Sequence, residues 1–277
     1  MGEPRQNKDR AKLWRPAGSR DVTLFKASFH TFAFGMHVHE EPAMGVIEQG
    51  VQTFRHKGAA QVAPPGSIIT VNPDEPHDGR SAQKGGYDYR VVYVGVDFLS
   101  RIYGEMFPAG RPPAFRQPVT HDPELAGRFL AALRAAERAP HLVDELLPPV
   151  LFDLFARHAS PKPLPPAGDP GPVAAALAVE YIREHAAANP SLDRLAGLCG
   201  LSKFHFLRVF KKATGLSPHA FVLGQRLALA KKSLEEGLPV SETALAAGFS
   251  DQSHLTRRFK ASFGLTPAAF QKSMSRR

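Results

Sequence analysis

The 277-residue chain holds one cysteine and one tryptophan. It also lacks any apolar run of about 18 residues, so a membrane-spanning helix is excluded. The lone Cys199 rules out an intrachain disulfide and suits a reducing compartment. The opening MGEPRQNKDRAKLWRP has no apolar core segment, so no secretory signal is expected and the expected location is the cytoplasm. Acidic residues are scarce in one region only. Residues 171–277 carry 15 Lys or Arg against 7 Asp or Glu, and so hold 8 of the chain's 9 net positive charges. A basic surplus confined to one part points to a polyanionic partner for that part.

What is present divides the chain. Residues 160–172, SPKPLPPAGDPGP, contain six prolines and two glycines and read as an extended linker. From about Val22 to Asp97 come short apolar or alternating runs: VTLF, AMGVIEQG, VQTFRH, SIITVN and YRVVYVGVD. Gly/Pro-rich turns separate them, the pattern of a small β-barrel or sandwich. DPELAGRFLAALRAAERA and LVDELLPPVLFDLFARHA then change to helical period. They read as two helices that cover the barrel or meet a second copy. Their apolar content exceeds what covering one small barrel needs, so a homodimer through residues 122–158 is expected. Beyond the linker the chain reads as helical throughout. Ser191, Ser202, Ser217 and Thr266 serve as helix caps, the last two followed by proline at the first helical position.

That helical part repeats itself. HFLRVFKKATGLSPHAF (205–221) and HLTRRFKASFGLTPAAF (254–270) share 9 of 17 residues. Each is preceded by a small residue, then glycine and an apolar-Ser pair: Ala196, Gly200, Leu201, Ser202 in the first and Ala244, Gly248, Phe249, Ser250 in the second. A helix, a glycine turn and a second helix, built twice, is the expectation. The turns align at an offset of 48 and the following helices at 49, so one extra residue falls near Asp251. In each second helix one stripe is apolar: Phe206, Val209 and Phe210, then Leu255, Phe259 and Phe263. The opposite faces carry side chains able to pair with base edges or hold phosphates.

GLSKFHFLRVFKKATGLSPHAF and GFSDQSHLTRRFKASFGLTPAAF resemble the two helix-turn-helix units of the AraC/XylS family of transcription regulators. The resemblance covers about 100 residues. It implies two recognition helices joined by a long helix, here about Phe221 to Glu236, and double-stranded operator DNA as partner. Carried over by position, base reading falls on Phe204, Leu207 and Arg208, and on Gln252, Ser253, Thr256 and Arg257. Lys203, Lys211, Lys231, Lys232 and Lys260 are the expected phosphate contacts. Leu207 stands where a polar residue is common, which implies an apolar contact such as a thymine methyl. RNA polymerase is a further implied partner.

GMHVHEEPAMGVIEQG and PPGSIITVNPDEPHDG resemble the cupin-type effector domain found in many members of this family. The HxH spacing puts His37 and His39 on one face of a strand, with His77 as the third imidazole. Three readings stay open: a small-molecule pocket around His37, His39 and His77, structural histidines, or a divalent metal site. The carboxylate of a metal-binding cupin would fall at Ala43 or Met44, which counts against the metal. His56, in TFRHKG, reads as exposed on a hairpin. The expected architecture is α+β: a cupin-like barrel (18–107), covering or dimerisation helices (108–159), the linker (160–172) and an all-α DNA-binding domain (173–277). Its helix-turn-helix motifs span about 191–213 and 240–263. The expected function is sequence-specific transcription regulation controlled by a small-molecule effector, with no catalytic residues, metal or cofactor. The alternative is a metal-dependent cupin enzyme with a DNA-binding tail.

Overall fold

The computed structural model describes residues 8–16, 19, 21–103, 113–161 and 170–274. Strands β1 (Arg10–Trp14), β2 (Val22–Phe29), β3 (Phe34–His37), β4 (Ala43–Gly50), β5 (Gln52–His56), β6 (Ala59–Ala63), β7 (Ile68–Val71), β8 (His77–Ser81) and β9 (Tyr87–Val94) come first. Helix α1 (Val96–Tyr103), β10 (Pro113–Phe115), β11 (Val119–Thr120), α2 (Pro123–Arg138), α3 (Val143–His158) and β12 (Ala159–Pro161) follow. The strands make two antiparallel sheets, β1-β2-β9-β4-β7-β11 and β3-β8-β5-β6, with β10-β12 as a separate ribbon.

Successive side chains of a strand face opposite ways, so each central strand serves two cores. Phe25, Ala27 and Phe29 of β2 and Tyr87, Tyr89 and Val91 of β9 pack with Phe54 and Ala63 of the second sheet. Val22 and Leu24, Met44 and Val46, and Val92 and Val94 form the other face, buried under α2 and α3. The apolar runs in these strands follow from burial on both sides. Helix α2 starts at Asp122, whose side chain accepts from Leu125 N at 3.1 Å, and buries Leu125, Phe129 and Leu133. Helix α3 buries Leu147, Leu151, Leu154 and Phe155 despite Pro148 and Pro149 within it. The apolar residues expected to serve self-association are therefore turned onto the sheet. On α2 and α3, Phe152 is the large apolar side chain left exposed, at 44%.

Of the proline-rich segment, residues 162–169 lie outside the described residues. Ser160 and Pro161 sit in β12, and Pro170 opens α4 (Pro170–His185). Then come α5 (Leu192–Leu198), α6 (Lys203–Thr214), α7 (Pro218–Glu235), α8 (Val240–Ala246), α9 (Gln252–Phe263) and α10 (Pro267–Met274). Helix α8 starts 48 residues after α5 and α9 starts 49 after α6, so the extra residue lies in the second turn, with Asp251 as N-cap. Gly248 shows why that turn needs glycine. Its φ is +81°, and a Cβ there would lie 2.4 Å from the Ala187 carbonyl oxygen.

Helices α4 to α6 and the start of α7 close around Ile182, Leu195, Phe206, Phe210 and Phe221. Among the described residues the second motif has no separate core. Leu255, Phe259 and Phe270 belong to the same apolar cluster as Phe25, Phe29 and Tyr89 of the barrel, bridged by Phe32, Phe34 and Phe263. Among the described residues no helix is long and apolar enough to cross a membrane.

Candidate DNA interface and effector pocket

Each recognition helix stands on a buried stripe and presents an open face. On α6, Phe206 and Phe210 are buried while Lys203, Phe204, Arg208 and Lys211 are exposed and Leu207 is half-buried. On α9, Leu255 and Phe259 are buried while Gln252, Ser253, Arg257 and Lys260 are exposed and Thr256 is half-buried. Phe204 is 88% exposed, a large apolar surface held in water at the start of the helix. Lys203 Nζ lies 2.7 Å from Asp193 of α5, a surface pair that a phosphate can replace. The first turns are fixed by caps: Ser202 accepts from His205 N at 3.4 Å and Asp251 from His254 N at 2.7 Å. Repeated His254 is structural, its Nδ1 3.2 Å from Ser250 Oγ and its ring against Phe249. Cys199 donates to the Ala174 carbonyl, and burial pushes its thiol up.

The opposite ends of both helices touch the barrel. Gly215 and Gly264 follow α6 and α9 in the left-handed conformation, φ +74° and +73°. A Cβ on Gly215 would meet Pro76 Cγ at 2.8 Å, and one on Gly264 would meet Phe29 Cζ at 3.1 Å. Helix α7 lies on the barrel as well, with Gly224 against Val38.

This packing corrects one assignment. Lys231 is not turned outward toward phosphate. Its Nζ bonds Glu41 at 2.9 and 3.1 Å, and the side chain is 14% exposed. Burial pushes the Glu41 carboxyl up, but Lys231 beside it holds it below the usual range. Helix α7 buries Leu227, Ala230 and Leu234, and this turns Lys231 to the barrel and leaves Lys232 exposed. Further ion pairs join Arg183 to Asp74 and, at 2.9 Å, Arg15 to Glu235. A cleft of about 200 Å³ runs between the barrel and α7, lined by Val38, His39, Glu41, Tyr93, Gly224, Lys231 and Lys232.

Inside the barrel the three expected histidines come together. His37 of β3 and His77 of β8 are register partners, and His39 lies just past the end of β3. Ring centroids are 4.3 Å apart for His37–His77, 4.8 Å for His39–His77 and 6.2 Å for His37–His39. Burial lowers all three pKa values, that of His39 to about 4 with His37 as the next cause. The rings line a cavity of about 50 Å³ with Phe34, Ala43, Gln52, Phe54, Ile69, Val71, Asp78, Tyr89, Val91 and Tyr93. His39 and Tyr93 line both cavity and cleft. Among the described residues no three His, Cys, Asp or Glu side chains are arranged to hold a metal ion. Ala43, where a carboxylate would be needed, adds only a methyl group.

His56 is a second correction: it is 5% exposed, with Nε2 2.6 Å from Glu75 Oε2. Burial pushes the Glu75 carboxyl up, but hydrogen bonds from His56, Lys57 and Asn72 bring it down to about 2. Alternation in VQTFRH carried the signal, since Gln52, Phe54 and His56 share one face of β5. The same parity puts Tyr89 and Tyr93 on one face of β9, but it is the sheet pairing that brings that face to the pocket. The contact between Glu41 and Lys231 has no such local signal.

Residues 20–151 match the AraC-like ligand binding domain and residues 195–273 a helix-turn-helix domain. The chain is 31% identical over 252 residues to the HTH-type transcriptional regulator YbfI of Bacillus subtilis, covering 90% of each chain. Over 83 residues it is 40% identical to the probable transcription factor PqrA of Proteus vulgaris, 30% of this chain and 68% of that one. In fold it is similar to ToxT from Vibrio cholerae. The TM-score is 0.57 at 10% identity over 98% of this chain and 100% of that one. A ToxT structure with bound unsaturated fatty acid gives 0.59 at 10% identity, with 98% of each chain covered. With its N-terminal ligand-binding domain and paired helix-turn-helix motifs, the chain belongs to the AraC family of DNA-binding transcription regulators.

Proposed function

We propose that this regulator reads operator sequence with α6 and α9 and binds a small-molecule effector among His37, His39 and His77. The observation that carries the DNA side is the pair of matched exposed faces on a positively charged domain. Gln252 and Arg257 have the chemistry to bond adenine and guanine edges, with Ser253, Thr256 and Arg208 beside them and Phe204 and Leu207 offering apolar contact. Lys203, Lys211, Lys232 and Lys260 hold phosphate without reading sequence. The protein acts in the cytoplasm as a homodimer, with Phe152 an exposed anchor for the second copy, and RNA polymerase is a partner at the promoter. It is not an enzyme: the missing carboxylate at Ala43 counts against a metal-dependent cupin reaction.

The fatty acid of the ToxT structure does not carry over at 10% identity. Among the described residues no lysine or arginine lines the interior cavity to meet a carboxylate.

Selection of binding sites from random DNA by the full-length protein, then affinity across a salt series, tests the reading. Arg257→Ala should cost about 1–3 kcal/mol on the selected site and relax preference at one base pair. Lys260→Ala should weaken all sequences alike and make the salt slope shallower by about one unit. Equal losses on selected and random DNA for Arg257→Ala would reject base reading by α9.

A further inference from the structure

Each of the three pocket histidines turns Nδ1 to a backbone carbonyl: His37 to Gly35 at 2.8 Å, His39 to Glu41 at 2.5 Å and His77 to Glu75 at 3.0 Å. A carbonyl oxygen only accepts, so every Nδ1 carries the hydrogen. In a neutral imidazole that leaves Nε2 as a bare acceptor. The Nδ1 edges face their own backbone, so the Nε2 edges face away from it, and all three rings line one cavity. Gln52 adds a fourth acceptor. It is 6% exposed, lines the same cavity, and its Oε1 is buried without a hydrogen-bond partner among the described residues. The charged side chain on the wall, Asp78, accepts as well.

A cavity with this many acceptors selects its occupant. An unpaired buried acceptor such as Gln52 Oε1 is costly, and a donor relieves it. An anion would face four more acceptors and a carboxylate unless imidazoles first took up protons. Burial opposes that protonation for all three rings. The hydroxyls of Tyr89 and Tyr93, kept protonated by burial, are the phenol donors on the wall.

We propose that the effector cavity takes a small ligand whose polar atoms are hydrogen-bond donors, hydroxyl or protonated amine, and which carries no carboxylate or phosphate. The inference rests on the reading that the effector occupies the barrel. At about 50 Å³ the cavity has room for about four water-sized groups, so the ligand is of a few heavy atoms.

Calorimetry on the full-length protein tests this with ethylene glycol, ethylammonium, butyrate, inorganic phosphate and zinc as probes. Runs in two buffers of different ionisation enthalpy count protons taken up on binding. Ethylene glycol, ethylammonium or both should bind without net proton uptake, and the two arms distinguish hydroxyl from amine. Affinity should fall about tenfold in Gln52→Leu and in His77→Phe, as expected for one lost charge-assisted or buried hydrogen bond. Butyrate or phosphate binding with uptake of about one proton would overturn the proposal, as would zinc binding or no binding by any probe. Donor binding unchanged in both variants would instead refute the barrel as the effector site. Should the variants fail to fold, nitrogen-15 spectra of the unaltered protein decide. Rings in the Nδ1–H form support the proposal, and Nε2–H rings overturn it.

Discussion

The contact between Glu41 and Lys231 gives a prediction with a calculable size. At 2.9 Å and an effective dielectric of about 20, the bare attraction is about 6 kcal/mol. Most of it is offset, because Lys231 is 14% exposed and loses hydration, while Glu41 at 33% keeps part of its own. The pair lies between surface pairs, worth about 0–1 kcal/mol, and fully buried ones, which cost about 3–5 to break. A coupling of about 1–2 kcal/mol follows. The experiment is a double-mutant cycle of Lys231→Met, Glu41→Gln and the double variant, by urea denaturation. Methionine keeps the apolar stem, so the cycle isolates the charge. The double variant should lose less than the two single losses together, by that coupling. On DNA, Lys231→Met should leave the salt slope unchanged, whereas Lys232→Met should make it shallower by about one unit. Additivity within about 0.3 kcal/mol, or a one-unit change for Lys231→Met, would refute the geometry.

Two glycines at equivalent motif positions should respond unequally to alanine. Gly200→Ala meets only the left-handed backbone penalty, about 1–2 kcal/mol, since nothing lies within 4 Å of a Cβ there. Gly248→Ala adds the clash with Ala187 and should cost about 2–4 kcal/mol; equal thermal shifts would contradict this. The Glu75 carboxyl, held at about 2 against an ordinary 4.5, contributes stability that is present above about pH 4.5 and lost as pH falls toward 2. Glu75→Gln should flatten that part of the acid-denaturation curve, and an unchanged curve would show the contact is not made. Replacing thymine by deoxyuridine in the half-site under α6 should weaken binding by about 0.8 kcal/mol per contacted methyl group. Phe204→Ala and Leu207→Ala should abolish that sensitivity, and equal sensitivity under α9 would deny α6 a special apolar role.

Much of the fold was legible because local pattern and burial agreed. The runs at β2, β4, β5, β7 and β9 read as strands, and the one-residue offset before α9 appeared from alignment of the repeat alone. Strands β3, β6 and β8 carry too few apolar residues to register as runs: FGMH, AAQVA and HDGRS. They are held by ladder bonds to neighbours, which sequence period does not reveal. HxH parity found His37 and His39, whereas Gln52 and Tyr93 needed the sheet pairing that brings β5 and β9 round the same space. Lys231 was misassigned because its direction is set by a partner 190 residues away. An amphipathic pattern gives the faces of a helix but not which other domain covers each face.

Gly215 and Gly264 make the barrel a spacer for the two recognition helices. Each helix rests its C-terminal foot on a different part of it, Pro76 for α6 and the phenylalanines beside β2 and β3 for α9. Those feet adjoin the histidines: Pro76 precedes His77, and the Phe34 ring lies 5.7 Å from that of His37. Like the legs of a caliper set on one block, the reading tips are separated by whatever distance the block imposes. On the proposed reading, a ligand that parts His37 from His77 should change that setting. The number of base pairs tolerated between the two half-sites should then differ between the filled and the empty pocket.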